Sequence, residues 1–140
     1  VVAVPSQQTW DADFGMSIVF LMNHLASHGQ VEDKVISFRL HNKRGSILAN
    51  MREWLIQDAI KNDATHLLFI DSDQTFPRDL FHRLMKHKKK VVAVNVATKM
   101  LPPTPTARLE GGVAGVPLYT REDSTELMKV WRVGTGVMLI

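Results

Sequence analysis

Four consecutive apolar residues, Leu67, Leu68, Phe69 and Ile70, run directly into two carboxylates spaced two apart, Asp71 and Asp73. Pro77 follows at once, ahead of a new helical pattern. A short apolar run without alternation reads as a strand covered on both faces, the kind found inside a parallel sheet flanked by helices. Alternate side chains of an extended segment point the same way, so Asp71 and Asp73 are placed to project together from the carboxyl end of that strand. Ligands of open α/β sheets bind beyond those ends. Two acids at such a place need a cation, a proton or a hydrogen-bond network to hold them.

The segments on either side repeat the pattern. Residues 1–4 predict a first strand, with Pro5, Ser6, Gln7, Gln8 and Thr9 as the loop at its carboxyl end. Phe14, Ile18, Leu21, Met22 and Leu25 recur at helical spacing and predict a helix from about residue 13 to 27, with Asp11 or Asp13 as cap and Gly29 as stop. Val35, Ile36 and Phe38 predict a second strand ending near Leu40, followed by a polar, basic loop over 41–46. Ile47, Met51, Trp54, Leu55 and Ala59 form the stripe of a second helix, with Ser46 as its cap. Leu80, Phe81, Leu84 and Met85 predict a third helix, with Pro77 at or near its first position. Residues 91–96 read as a continuous apolar strand. This alternation predicts one α/β domain over residues 1–140, a doubly wound, mostly parallel sheet with helices on both faces.

After Val96 the regularity lapses. Lys99 to Thr106 is proline-rich, and Gly111, Gly112, Gly115 and Pro117 prolong the irregular stretch, which marks a functional or mobile loop. Residues 127–133 read as a further strand, and Gly134-Thr135-Gly136 as a tight approach to a last one. The chain opens on Val1 without an initiator Met and stops inside an apolar strand pattern. It is therefore expected to be a fragment, with functional residues beyond Ile140.

Composition removes several classes. The 140 residues contain no cysteine, which excludes disulfides, thiolate catalysis and Cys-type zinc sites within them. No apolar run approaches the roughly 20 residues of a membrane span, and the N-terminus lacks the pattern of a signal peptide. A cytoplasmic setting fits these features. The net charge of +3 favours anionic ligands such as nucleotides without implying a nucleic-acid partner. The six histidines show no metal-ligand spacing.

Asp71-Ser72-Asp73 after a hydrophobic strand resembles the DxD motif of glycosyltransferases with the Rossmann-like GT-A fold, and the run from Thr65 to Val96 is similar to the central part of family-two-like members. Gly134-Thr135-Gly136 is the other segment that matches in detail. The resemblance implies a nucleotide-sugar donor, a saccharide or other hydroxyl acceptor, and Mn²⁺ or Mg²⁺ as cofactor. It implies Asp73 as metal ligand, with Asp71 on the ribose or on a water of the metal. A hard divalent cation suits this donor set, because Mg²⁺ takes one or two carboxylates and completes its shell with phosphates. The resemblance also places Pro5, Ser6 and Gln7 near the nucleotide base, and Ser72, Gly134 and Gly136 against the donor. Arg44, with Asn50 one turn on, would face the nucleotide, and Lys99 the phosphates or acceptor. The family's catalytic acid and metal-site His come later than Ile140. The loop after the second strand, which commonly holds a base-reading acid, is basic here.

The same residues admit other readings. Asp71-x-Asp73-x-Thr75 matches the first motif of haloacid-dehalogenase-like phosphatases, with Asp71 as nucleophile and Asp73 as general acid. Against this, two strand–helix units precede the motif, Gln74 stands where that family has Gly, and Pro77 leaves little room for its turn. A non-catalytic nucleotide-binding or interaction module would keep the fold without turnover. A dinucleotide-dependent dehydrogenase would need a GxGxxG after the first strand, which this chain lacks. Arg52 is expected to face solvent. The basic run 86–90 reads as a helix C-terminus whose dipole favours cations.

Overall fold

The computed structural model describes residues 1–121 and 123–140. In chain order the elements are β1 (Val2–Ser6), α1 (Ala12–Ser27), β2 (Gln30–Val31), β3 (Lys34–Val35), β4 (Leu40–Arg44), α2 (Leu48–Lys61), β5 (Leu68–Ile70), α3 (Leu80–Met85), β6 (Val92–Ala93), β7 (Arg108–Leu109), β8 (Val116–Pro117) and β9 (Val137–Leu139). Five of the strands make one sheet in the order β4-β1-β5-β9-β6. β1 pairs in parallel with β4 and β5, whereas β9 runs antiparallel to both β5 and β6. β4, β1, β5 and β6 thus run the same way and β9 alone is reversed, which makes the sheet mixed, with β9 inserted between β5 and β6.

The period-two alternation of the strands sorts the core into two layers. Val2, Val4, Leu68 and Ile70 point to the face covered by Phe14, Ile18, Leu21 and Leu25 of α1 and by Leu80, Phe81 and Leu84 of α3. Ala3, Leu67 and Phe69 point to the opposite face, where Leu55 and Ala59 of α2 cover them. Full burial of a side chain such as Leu55 stabilises the fold by about 1.5–3 kcal/mol. β5 is central in the sheet, and all three of its residues are buried. Its run of apolar residues therefore serves both layers at once.

Several boundaries differ from those the sequence predicts. β1 continues through Pro5 to Ser6, because the chain pairs residue for residue with β4 as far as Arg44. The second sheet strand is β4, made from His41, Asn42, Lys43 and Arg44, which the polar composition marks as a loop. It lies at the edge of the sheet, where a polar strand loses little by facing water. Val35 instead belongs to the small β2–β3 hairpin, whose turn residues Glu32 and Asp33 both have positive φ, while Ile36 and Phe38 pack on the α1 layer. Such paired left-handed residues suit the twist of a two-residue hairpin.

Residues 127–133 form no strand; they contribute one isolated bridge, Arg108 with Arg132. The strand expected over 91–96 shortens to Val92–Ala93. Asp11 occupies the N-cap of α1 without a side-chain cap bond, and α2 starts from Ile47 rather than Ser46, also without one. Pro77 precedes α3 by one turn and accepts the N–H of Leu80 at 3.0 Å. No helix among the described residues is long and apolar enough to cross a membrane.

Candidate functional site

Asp71 leaves the carboxyl end of β5, beside the carboxyl ends of β1 and β4 and the start of the antiparallel β9. Its backbone N–H donates to the carbonyl of Gly136 at 2.8 Å, and its carbonyl accepts the N–H of Gln74 at 3.1 Å. These bonds form a tight turn that carries Ser72 and Asp73 out over the sheet edge. The Ser72 carbonyl accepts the N–H of Asp11, at 3.4 Å, which ties this turn to the start of α1.

Each carboxylate has a cationic partner from a different element. Arg52 of α2 donates through Nη2 to Oδ1 of Asp71 at 2.8 Å, and both side chains are mostly buried. Lys99, in the loop after β6, places Nζ 2.8 Å from Oδ2 of Asp73. The Gln74 amide donates to the other Asp73 oxygen at 3.0 Å. Burial pushes the Asp71 carboxyl above its ordinary value; the Arg52 guanidinium offsets only part of this, and the neighbouring Asp73 charge adds to the rise. Burial also acts to raise Asp73, but the hydrogen bonds from Lys99 and Gln74 and the Lys99 charge outweigh it and hold that carboxyl below the ordinary range.

Arg52 is the residue that sequence reasoning assigned to solvent. It lies three residues before Leu55 and seven before Ala59, on the flank of the buried α2 stripe, and this places it beside the end of β5. Its Nε is buried without a hydrogen-bond partner. The spacing was a usable signal, since a position i−3 from a fully buried Leu shares its face.

The other singled-out residues are distributed unevenly around the edge. Pro5 and Ser6 are buried inside β1, and the Ser6 hydroxyl accepts the Asn42 amide at 2.8 Å, while Gln7 is exposed just beyond the strand. Arg44 ends β4 in register with Ser6 and is exposed. Asn50 is exposed in the first turn of α2. At Gly136, just before β9, an added Cβ would lie 3.6 Å from Asp71 Oδ2, an ordinary contact, and 3.3 Å from Val96 Cγ2, a tight one, so this backbone stands beside the carboxylate. Gly134 is packed against Thr106, whose Cβ would lie 2.9 Å from such an atom.

The donor chemistry sets what the edge could hold. Among the described residues no group of three or more His, Cys, Asp or Glu is gathered to hold a metal ion by itself. Asp71 and Asp73 together offer only carboxylate oxygens, a set that fits a hard divalent cation sharing its shell with phosphate oxygens. It does not fit a closed protein cage.

An α/β fold with a carboxylate pair at the carboxyl end of its central strand is the class these observations define. Residues 3–106 match the family model Anp1, and the chain belongs to that family, one of mannosyltransferases. In overall structure it is similar to the crystal structure of A197 from STIV, with a TM-score of 0.57 and 17% sequence identity. That likeness covers 99% of this chain and 62% of the other, so the chain spans a little under two thirds of the length of the protein it resembles. No curated protein matches the sequence significantly. Neither comparison points to a phosphatase or a dehydrogenase.

Proposed function

We propose that the chain is the nucleotide-sugar-binding part of a metal-dependent glycosyltransferase, with the donor lying across the carboxyl edge of the sheet in the manner of GT-A enzymes. The observation that carries this reading is the Asp71–Asp73 pair at the end of central strand β5, in a chain whose family is one of mannosyltransferases. Asp73, the more exposed acid and the one whose carboxyl is held below the ordinary range, is the ligand for Mn²⁺ or Mg²⁺. A bound divalent cation would neutralise the charge that develops on a departing nucleoside diphosphate.

The chain's own residues supply the rest. Arg52 fixes the Asp71 carboxylate, which is then aimed at the ribose. Arg44, exposed at the end of β4, offers a guanidinium to the phosphates. Gln7, just past β1, borders the region proposed for the base, and Gly136, just before β9, offers the donor bare backbone beside Asp71. The group that deprotonates the acceptor hydroxyl is assigned to no residue of this chain.

Calorimetric titration with UDP and with GDP, each with and without Mn²⁺, tests the reading. Wild-type protein is expected to bind at least one of them only with Mn²⁺, and Asp73→Ala to lose that binding while unfolding at the same temperature. Identical titrations of the variant and the wild type would sink the proposal.

A further inference from the structure

We propose that Lys99 is a resident counter-ion of Asp73 that an incoming divalent cation displaces, and that its freed ammonium then serves the phosphate oxygens arriving with the metal. The inference rests on the reading of Asp73 as a cation ligand and assigns Lys99 two opposed roles at that site.

The two ion pairs at the edge are built differently. Arg52 and Asp71 have side-chain exposures of 21% and 29%, and Arg52 is carried by a helix packed into the core. Lys99 is 74% exposed and Asp73 35%. A solvated pair of this kind gains little, because water screens the attraction and a long side chain loses rotamer freedom. A divalent cation brings twice the charge to the same carboxylate and bonds its oxygens directly. Lys99 Nζ stands on Oδ2 of Asp73, so metal bound there and the ammonium would repel at close range. The lysine must therefore leave.

The backbone around Lys99 confines this exchange to the side chain. Thr98 N–H donates to the carbonyl of Thr104 at 2.8 Å, Thr104 N–H donates to the Thr98 hydroxyl at 3.1 Å, and Thr106 N–H donates to the carbonyl of Val96 at 2.9 Å. These bonds close the loop at its neck and keep the Lys99 backbone at the sheet edge while its stem swings. An ammonium on a flexible stem beside a cation-bound diphosphate has anionic oxygens within its reach. Lys99 thus opposes the metal when it comes alone and supports it when it comes with phosphate, which couples the two ligands.

Electron paramagnetic resonance of free Mn²⁺ measures this without any need for turnover. Lys99→Met is expected to bind Mn²⁺ alone roughly five-fold tighter than wild type, because a weak competing charge is gone. In saturating Mn²⁺ the same variant is expected to bind UDP or GDP, whichever the wild type takes, roughly five-fold more weakly, through loss of a charge-assisted contact. Lys99→Arg, which keeps the charge, is expected to retain the wild-type metal affinity. If Lys99→Met gains no Mn²⁺ affinity, or loses none for the diphosphate, while Asp73→Asn abolishes Mn²⁺ binding, the role of Lys99 is overturned and the metal site stands. Equal Mn²⁺ binding by Asp73→Asn and wild type, or none by any form, overturns both.

Discussion

The guanidinium of Arg52 meets the carboxylate of Asp71 at 2.8 Å, across the gap between the first turns of α2 and the end of β5. This pair fixes one acid of the edge from the side of the sheet that α2 covers, whereas Lys99 reaches the other acid from the loop after β6. The two carboxylates are therefore held by cations of unequal burial, and the difference sets how each responds to substitution.

Arg52→Met keeps much of the apolar stem and removes the charge. Leaving Asp71 half-buried without its donor is expected to cost about 1–3 kcal/mol in urea unfolding. Arg83→Met breaks the i,i+4 pair with Asp79, which is far more exposed, and is expected to cost no more than about 0.5 kcal/mol. Equal losses from the two substitutions would show that Arg52 does not hold Asp71 in solution.

The two acids should titrate on opposite sides of the ordinary Asp value of 3.8, Asp71 above and Asp73 below. The signs for stability are opposite too. The raised Asp71 contributes stability that is present below 3.8 and lost as pH rises through its folded value, whereas the lowered Asp73 contributes stability present above 3.8 and lost as pH falls through its own. Carbon-detected NMR of the side-chain carboxyls measures both. Arg52→Met is expected to move Asp71 further up and leave Asp73 nearly in place, and Lys99→Met to do the reverse. A common midpoint for the two acids would contradict the arrangement.

Gly136→Ala would place a methyl near Val96 and Asp71 at ordinary to slightly tight distances. Gly134→Ala would drive one into Thr106 at 2.9 Å. The second is expected to lose about 1–3 kcal/mol, the first less than about 1 kcal/mol. The order for ligand binding should be inverted: Gly136→Ala is expected to weaken nucleoside diphosphate binding more, because its methyl intrudes beside Asp71. Thermal unfolding and calorimetry of the two variants check both orders.

The sequence shows those parts of this fold whose cause lies in hydrophobic pattern. β5 and the stripes of α1 and α2 are visible because Leu68, Ile70, Phe14, Ile18 and Leu55 sit in the core, where periodicity and burial coincide. β4 was not visible, because an edge strand is made by backbone pairing to β1 and tolerates His41, Asn42, Lys43 and Arg44. The opposite error came at residues 127–133, where Leu127, Met128 and Trp131 look strand-like yet stand about half exposed. A continuous apolar run reads as a strand of a covered, usually parallel sheet, so the antiparallel direction of β9 could not be read from Val137, Met138 and Leu139. At the edge, Asp71 and Asp73 stood out by their place after the apolar run. Arg52 did not, because its role depends on which strand end the α2 face meets.

The central claim is that Asp73 holds the cation of a nucleoside diphosphate site, with Asp71 beside it facing the ribose. Crystals grown with Mn²⁺ and UDP or GDP, measured at the manganese absorption edge, test it most directly. The account predicts an anomalous peak within about 2.5 Å of an Asp73 carboxylate oxygen and a diphosphate oxygen, with Lys99 withdrawn from Asp73. A bound nucleoside diphosphate with no manganese at Asp73, or with Lys99 still paired to it, would contradict the account.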